Sequence, residues 1–178
     1  MTDIEQIERI PMGDDAIHHY FPNAKILKYS ELAGYGSFDE MLPKDKDFAF
    51  LLLEESPNKG HWLGLLKYGD IAEVFDSYGG KPDSWLKWNS AEKNQQLGQG
   101  RKSLTELLRE HDGKVVYNPI KYQGEGSDIN TCGRHAVLRT KKMKEGMNLD
   151  NYYQWMERQK KDSGKDYDEI VSNFIRKV

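Results

Sequence analysis

Cys132, the single cysteine of the chain, stands where a thiol could be activated as a nucleophile. It follows the Gly-, Ser- and Asp-rich segment QGEGSDIN and opens a predicted helix, and Gly133 behind it lets the chain approach closely. A cysteine at a helix N-terminus lies at the positive end of the helix dipole, which lowers its pKa and favours the nucleophilic thiolate. The alternative is a buried, inert cysteine, which is the commoner fate of a lone cysteine.

A histidine and an aspartate are predicted to share one face of a hairpin. The segments His61–Lys67 and Ile71–Tyr78 have the composition of strands and are joined by the turn Tyr68-Gly69. A two-residue loop at that turn places His61 directly opposite Asp76, with Cβ atoms about 4.5–5.5 Å apart. Such a carboxylate would orient the imidazole ring and stabilise its protonated form. On the hairpin alone, a surface His–Asp pair is the alternative.

Hydrophobic periodicity predicts the other elements that must hold these residues in place. Two more strands are expected, over Phe48–Leu53 and Val115–Tyr122. Four helical segments are expected before the last one: a short helix capped by Asp14 or Asp15, a helix over Ser103–His111 with the capping box Ser103 and Glu106, a helix from Cys132, and a helix with the apolar stripe Leu149, Tyr152, Tyr153 and Met156.

The last helix carries the stripe Tyr167, Ile170, Val171, Phe174 and Ile175, which is typical of core packing. The polar stretch Lys81–Arg101 is expected to be a surface connection, with Trp85, Trp88 or both tucked under it. Strands in the middle of the chain and helices at both ends predict an α+β fold.

Composition and charge exclude several classes of protein. The 178 residues suit one domain, and 26 basic against 29 acidic side chains leave a net charge of −3, which argues against a bulk nucleic-acid coat. One cysteine excludes an internal disulfide and any tetrahedral site with two Cys ligands. Neither a membrane span nor a secretory signal is recognisable, because the longest apolar run is only Phe48–Leu53 and the start MTDIEQIERI is acidic. We therefore expect an intracellular protein that is not secreted and does not contact membranes.

Four short motifs occur in the order His, Asp, Gln, Cys: GHW at 60–62, FDSYG at 75–79, Gln123, and TCG at 131–133. This order resembles the adenain-type and ubiquitin-like-protein-protease clan of cysteine peptidases. The similarity is closest to the maturation proteases of adenoviruses, virophages and giant DNA viruses, in which GHW, FDSYG and CGRH also recur. The resemblance covers about residues 45–140.

The resemblance implies a papain-like or adenain-like fold, in which a central mixed β-sheet is flanked by helices and the nucleophilic cysteine opens a helix. It implies a single cysteine-peptidase domain over residues 1–178, with a catalytic core at about 45–140 and C-terminal helices at 148–178. No cofactor or metal is expected, and a monomer is the simplest state.

The resemblance also implies a role for each motif residue. Cys132 would be the nucleophile, and His61 would be the general base that later protonates the leaving amine. Asp76 would orient His61, and the side-chain amide of Gln123 would donate to the oxyanion beside the backbone N–H of Cys132. Trp62 and Gly133 are expected to contact the substrate, and a plain core tryptophan is the alternative for Trp62. The loop between Gln123 and Cys132 is slightly longer than the family commonly shows. If Gln123 does not donate to the oxyanion, Asn130 is the nearest amide that could replace it. His135, one turn after Cys132, points poorly at the thiol and is not expected to be the base.

The implied function is a cysteine endopeptidase that cleaves viral precursor proteins during virion maturation, often next to small residues such as Gly. It would act in the host cytoplasm or a viral factory, or be packaged in the virion. One alternative is an isopeptidase that removes ubiquitin or a ubiquitin-like protein. The other is a catalytically inactive protein-binding module with the same fold.

A basic run follows the cysteine and contains no acid; its cations are Arg134, Arg139, Lys141, Lys142 and Lys144. This run has two interpretations. The favoured interpretation is compensation of a helix dipole near its C-terminus. The other is a patch for DNA or an acidic partner, which the resemblance suggests and which would make a peptide or DNA activator a further partner.

Overall fold

The computed structural model describes residues 1–178, and its centre is a mixed five-stranded sheet. The strands lie side by side in chain order: β1 Lys25–Lys28, β2 Asp47–Ser56, β3 Lys59–Tyr68, β4 Ile71–Phe75 and β5 Lys114–Tyr117. The three central strands are antiparallel to one another, while each edge strand runs parallel to its neighbour. The α+β class is confirmed.

Eight helices surround the sheet: α1 Asp3–Arg9, α2 Asp14–Tyr20, α3 Phe38–Met41, α4 Ala91–Gln96, α5 Ser103–Arg109, α6 Cys132–Lys144, α7 Leu149–Ser163 and α8 Tyr167–Phe174. Two 3₁₀ helices, Tyr29–Gly34 and Ser84–Trp88, complete the connections. None of these helices is long and apolar enough to cross a membrane.

Both faces of the sheet are covered, which explains the unbroken apolar run in β2. Phe50 and Leu52 point to the core that holds α6 and the two C-terminal helices. Leu51 and Leu53 point to a second core, formed with α5 and the 3₁₀ helix at Tyr29–Gly34. The strand is therefore buried on both sides, and its sequence is a continuous apolar run rather than an alternation of apolar and polar residues.

The hairpin of β3 and β4 differs in register from the prediction. Tyr68 pairs with Ile71, so the loop residues are Gly69 and Asp70 rather than Tyr68 and Gly69. Gly69 takes a left-handed conformation with φ of 56°, which glycine adopts without steric cost. The true pairing shifts each partner by two residues, and a shift of two keeps every side chain on its face. The predicted shared face of His61 and Asp76 survives for this reason.

Other predicted elements are present with changed boundaries. The capping box at α5 is absent: Ser103 is the first helical residue, Lys102 precedes it without a side-chain bond, and Glu106 instead pairs with Arg101 at 3.0 Å. The connection after β4 contains α4 and a 3₁₀ helix, and it buries Trp85 but leaves Trp88 48% exposed.

The two C-terminal helices pack through their predicted apolar stripes. The buried members are Tyr152, Met156, Ile170, Val171 and Ile175, which join the core against α6. Tyr153 and Phe174 belong to the same stripes by spacing but remain partly exposed. The stripes are core packing, as predicted.

Candidate active site

Cys132 is the first residue of α6 and lies at the end of β3. The ladder between β3 and β4 stops at the pair Gly64 and Phe75, so the first residues of β3 extend past β4. Cys132 reaches the strand there, and the backbone N–H of Trp62 donates to its Sγ at 3.5 Å. The thiol is thus held between the N-terminus of a thirteen-residue helix and a strand.

His61 and Asp76 form a short, buried contact beside this thiol. The Nε2 atom of His61 lies 2.6 Å from Oδ1 of Asp76, and both side chains are almost fully buried. The same oxygen accepts the backbone N–H of Tyr78 at 3.1 Å. Because Nε2 is engaged by Asp76, Nδ1 is the ring atom left to interact with Cys132, which lines the same cleft as His61.

The environment of the pair favours a thiolate and an imidazolium. Burial lowers the pKa of His61, but the hydrogen bonds to Asp76 and Cys132 and their negative charges outweigh it and raise the pKa to about 10. Burial raises the pKa of Cys132, but the contact with His61 and the N–H groups of Trp62 and Gly133 bring it below its usual value. Both pKa shifts favour the same state, in which Cys132 is a thiolate and His61 is protonated.

Gln123 lines the same cleft and is held by a second side chain. Its Oε1 accepts the hydroxyl of Ser77 at 2.7 Å, and its Nε2 donates to the carbonyl of Ile129 at 3.3 Å. The amide is buried at the back of a cleft of about 550 Å³ that also exposes His61 and Cys132. An N–H donor therefore lies in the cleft that holds the thiol.

Two aromatic residues that the sequence did not place in the site flank the histidine. Tyr78 stacks on the His61 ring with centroids 5.0 Å apart, and Trp88 meets both rings edge-on at 5.5 Å. Tyr78 belongs to FDSYG, and its position two residues after Asp76 is a signal that could have placed it beside His61. Trp88 comes from the irregular connection after β4, where no periodicity predicts its path.

Trp62 and Gly133 do not line the cleft, contrary to the expectation for them. Successive strand residues point to opposite faces, so Trp62 faces away from His61 and its Nε1 donates to the carbonyl of Met12 at 2.8 Å. A Cβ on Gly133 would lie 2.9 Å from the Met12 Cβ, so glycine permits close packing of α6 there. Both residues support the site from behind, and the Gly133 N–H still faces the thiol.

Asn130 and His135, the two residues considered as substitutes, are engaged elsewhere. The Asn130 amide donates to the carbonyl of Arg9 at 2.8 Å, although the residue lines the cleft. His135 is fully buried and lies 2.9 Å from Oδ1 of Asp168, away from the cleft. Asp168 also accepts the Thr131 hydroxyl at 2.6 Å, so this cluster anchors the residue before Cys132.

The basic run is divided between the interior and the surface. Arg134 and Arg139 are fully buried, whereas Lys141, Lys142 and Lys144 lie near the end of α6. Arg139 forms a two-pronged pair with Glu73, with both N–O distances at 2.8 Å. Two of the five cations are therefore structural and unavailable to a nucleic acid, and only the three lysines remain for the alternative interpretation of this run as a patch for DNA or an acidic partner. No group of three His, Cys or acidic side chains is arranged to hold a metal.

The uncharacterized protein V9 of the Sputnik virophage is similar to this chain. The two are 35% identical over 141 residues, which is 78% of this chain and 80% of the relative. No protein-family model matches the chain. The length and identity of the shared region show that the chain belongs to the same family as the virophage protein V9.

Proposed function

We propose that this protein is a cysteine endopeptidase with a papain-like, adenain-like fold. The observation that carries the proposal is that Cys132, His61 and Gln123 line one cleft, with Asp76 paired to His61 at 2.6 Å. These are the groups that acyl transfer needs: a nucleophile, a base, a residue that orients the base, and an oxyanion donor. The motif order His, Asp, Gln, Cys adds the family resemblance to this geometry.

The reaction would begin with attack of the Cys132 thiolate on the scissile carbonyl carbon. A carbon–sulfur bond forms and the carbonyl oxygen takes up the negative charge. Protonated His61 then gives its proton to the departing amine as the carbon–nitrogen bond breaks, which leaves an acyl-enzyme. Water attacks the thioester with His61 as its base, and the acid product leaves as the thiolate is restored.

The oxyanion would be held by two N–H donors. Gln123 supplies one through Nε2, and the backbone N–H of Cys132, at the start of α6, supplies the other. One such donor is worth about 3 kcal/mol of barrier. Asp76 keeps Nδ1 of His61 directed at the thiol throughout, because it occupies Nε2.

The substrates we propose are viral precursor proteins that are cut during particle maturation. The similarity to a virophage protein supports a viral setting, inside the infected cell or within the virion. Tyr78 and Trp88 narrow the cleft beside His61, which supports cleavage next to small residues such as Gly.

Cleavage of a peptide library, read by mass spectrometry, tests the proposal. We expect wild-type protein to cut at a small-residue motif and both Cys132→Ala and His61→Ala to leave the library intact. Cys132→Ser is the matched control, since it keeps the shape of the site but replaces the thiol by a much poorer nucleophile. Full activity in Cys132→Ala would end the proposal.

Covalent labelling separates the proposal from its alternatives. A ubiquitin-like vinyl-sulfone probe that forms an adduct on Cys132, with no library peptide cut, would indicate an isopeptidase. No cleavage, no adduct and an unactivated thiol together would indicate an inactive binding module.

A further inference from the structure

We infer that Ser77 is a positioning residue that fixes the orientation of the Gln123 amide in the oxyanion site. This inference rests on the proposed function. Ser77 is 1% exposed, and its hydroxyl donates to Oε1 of Gln123 at 2.7 Å. It does not line the cleft, so it acts on the reaction only through Gln123.

Orientation matters because the two ends of an amide have opposite chemistry. Nε2 can donate to an oxyanion, whereas Oε1 would repel it. The Gln123 amide has two neighbours. Its Nε2 lies beside the carbonyl of Ile129, which can only accept a hydrogen bond, and its Oε1 lies beside the hydroxyl of Ser77. A flipped amide would set Oε1 against the Ile129 carbonyl, so this carbonyl selects the orientation with Nε2 beside it, and the Ser77 hydroxyl holds the amide there by donating to Oε1. One hydrogen of Nε2 then remains for the substrate.

Ser77 also fixes the backbone that carries the glutamine. Its carbonyl accepts the backbone N–H of Gln123 at 3.0 Å and that of Tyr122 at 2.8 Å. The main chain and the side chain of Gln123 are thus both hydrogen-bonded to Ser77. Since Ser77 directly follows Asp76, one dipeptide orients the base and the oxyanion donor together.

Loss of the hydroxyl leaves a buried Oε1 without a donor and frees the amide to rotate. An oxyanion bond strengthens in the transition state, so the loss should lower kcat and leave KM unchanged. We expect Ser77→Ala to lower kcat about tenfold, the size of one buried hydrogen bond, and Gln123→Ala to lower it about 10²-fold.

A double-mutant cycle tests this link with wild type, Ser77→Ala, Gln123→Ala and the double variant. In the Gln123→Ala background, Ser77→Ala should change kcat less than twofold, because the group that it positions is absent. A purely structural role would lower kcat equally in both backgrounds, and that result overturns the inference. If Ser77→Ala does not fold, Ser77→Cys keeps the volume with a weak donor, and the same cycle applies.

Affinity for a peptide aldehyde supplies a second readout. The thiol of Cys132 adds across the aldehyde C=O, with sulfur bonding to carbon and the proton going to the oxygen, which occupies the oxyanion site. Ser77→Ala should weaken this inhibitor about tenfold while product binding stays unchanged. Wild-type protein that neither cleaves peptides nor binds the aldehyde overturns the proposed function and this inference together. Wild-type turnover with unchanged kcat in Ser77→Ala overturns this inference alone.

Discussion

Cys132 and His61 shift each other's pKa in opposite directions, and Asp76 adds to the shift of the histidine. The buried carboxylate has one oxygen on His61, while its Oδ2 has no partner. The only side chain to which the Asp76 carboxylate is hydrogen-bonded is therefore the His61 ring. Removing the carboxylate leaves His61 without a partner at Nε2 but removes neither the thiol nor the base.

We expect Asp76→Ala to lower kcat about 10²-fold and to retain residual turnover, unlike Cys132→Ala. Asp76→Asn should lower kcat as well, since an amide keeps the volume but loses the charge that stabilises the imidazolium. Steady-state kinetics on one peptide substrate measure both variants. Equal kcat for wild type and Asp76→Ala would contradict the assigned orienting role.

Motif order, through the family resemblance that it carries, was enough to predict four residues of one candidate site. Cys132, His61 and Gln123 line one cleft, and Asp76 contacts His61 without lining it. The walls of the cleft were harder to predict: Trp62 was expected there, but strand alternation turns it inward, and Trp88 takes its place. Side-chain direction at a sheet end depends on long-range packing that a tripeptide does not encode.

At the scale of elements, α6 is held in the fold by buried arginines rather than by an apolar stripe alone. Arg139 and Glu73 are fully buried and paired through two hydrogen bonds of 2.8 Å, which link the helix to β4. The ring of Tyr152 lies 5.2 Å from the Arg139 guanidinium. Removing one partner would leave the other charge buried and unpaired.

Arg139→Met should lower the free energy of unfolding by about 3–5 kcal/mol, because Glu73 would be left uncompensated. Lys141→Met is the matched control on the same helix, because Lys141 is exposed and forms no ion pair, so its replacement should cost less than about 1 kcal/mol. Urea unfolding followed by tryptophan fluorescence measures both. A loss in Arg139→Met as small as that of the control would show that this pair does not anchor α6.

Periodicity predicted the elements better than it predicted their ends or their charges. The strands and the helix from Cys132 are present, but the β3–β4 turn is one residue later because Gly69 takes the first loop position. The run from Arg134 to Lys144 resembled one basic surface. Two of its arginines instead satisfy buried acceptors, and no local pattern distinguishes a solvated arginine from a buried one.

For the whole molecule, both ends of the chain support the candidate site. Arg134 donates to the carbonyls of Ile10 at 2.7 Å and Ile175 at 3.1 Å, so it joins both terminal segments to α6. The backbone N–H of Asn130, in the cleft wall, donates to the carbonyl of Glu8 at 2.7 Å. The support of the site thus extends beyond residues 45–140, the segment to which the motifs are confined.

Deletion of residues 1–10 should lower both stability and kcat, since Arg134 loses a buried acceptor and Asn130 loses its backbone partner. We expect a loss of at least about 2 kcal/mol in unfolding free energy and about tenfold in kcat. Arg176→Ala, which removes only an exposed pair with Asp3, is the control and should cost less than about 1 kcal/mol. Unchanged turnover after the deletion would show that the N-terminal segment is dispensable for the site.

The rate of Cys132 alkylation by iodoacetamide as a function of pH tests the central claim most directly, and the chain has no other cysteine to label. The lowered pKa of Cys132 keeps the thiolate as pH falls, and the pKa of His61 near 10 keeps its ring protonated up to that pH. We therefore expect the alkylation rate of the wild-type protein to stay high to a lower pH than that of His61→Ala or the urea-unfolded chain, both of which slow about tenfold per pH unit below the ordinary thiol pKa. A folded wild-type protein that follows the same curve as the unfolded chain would contradict an activated nucleophile, and with it the peptidase.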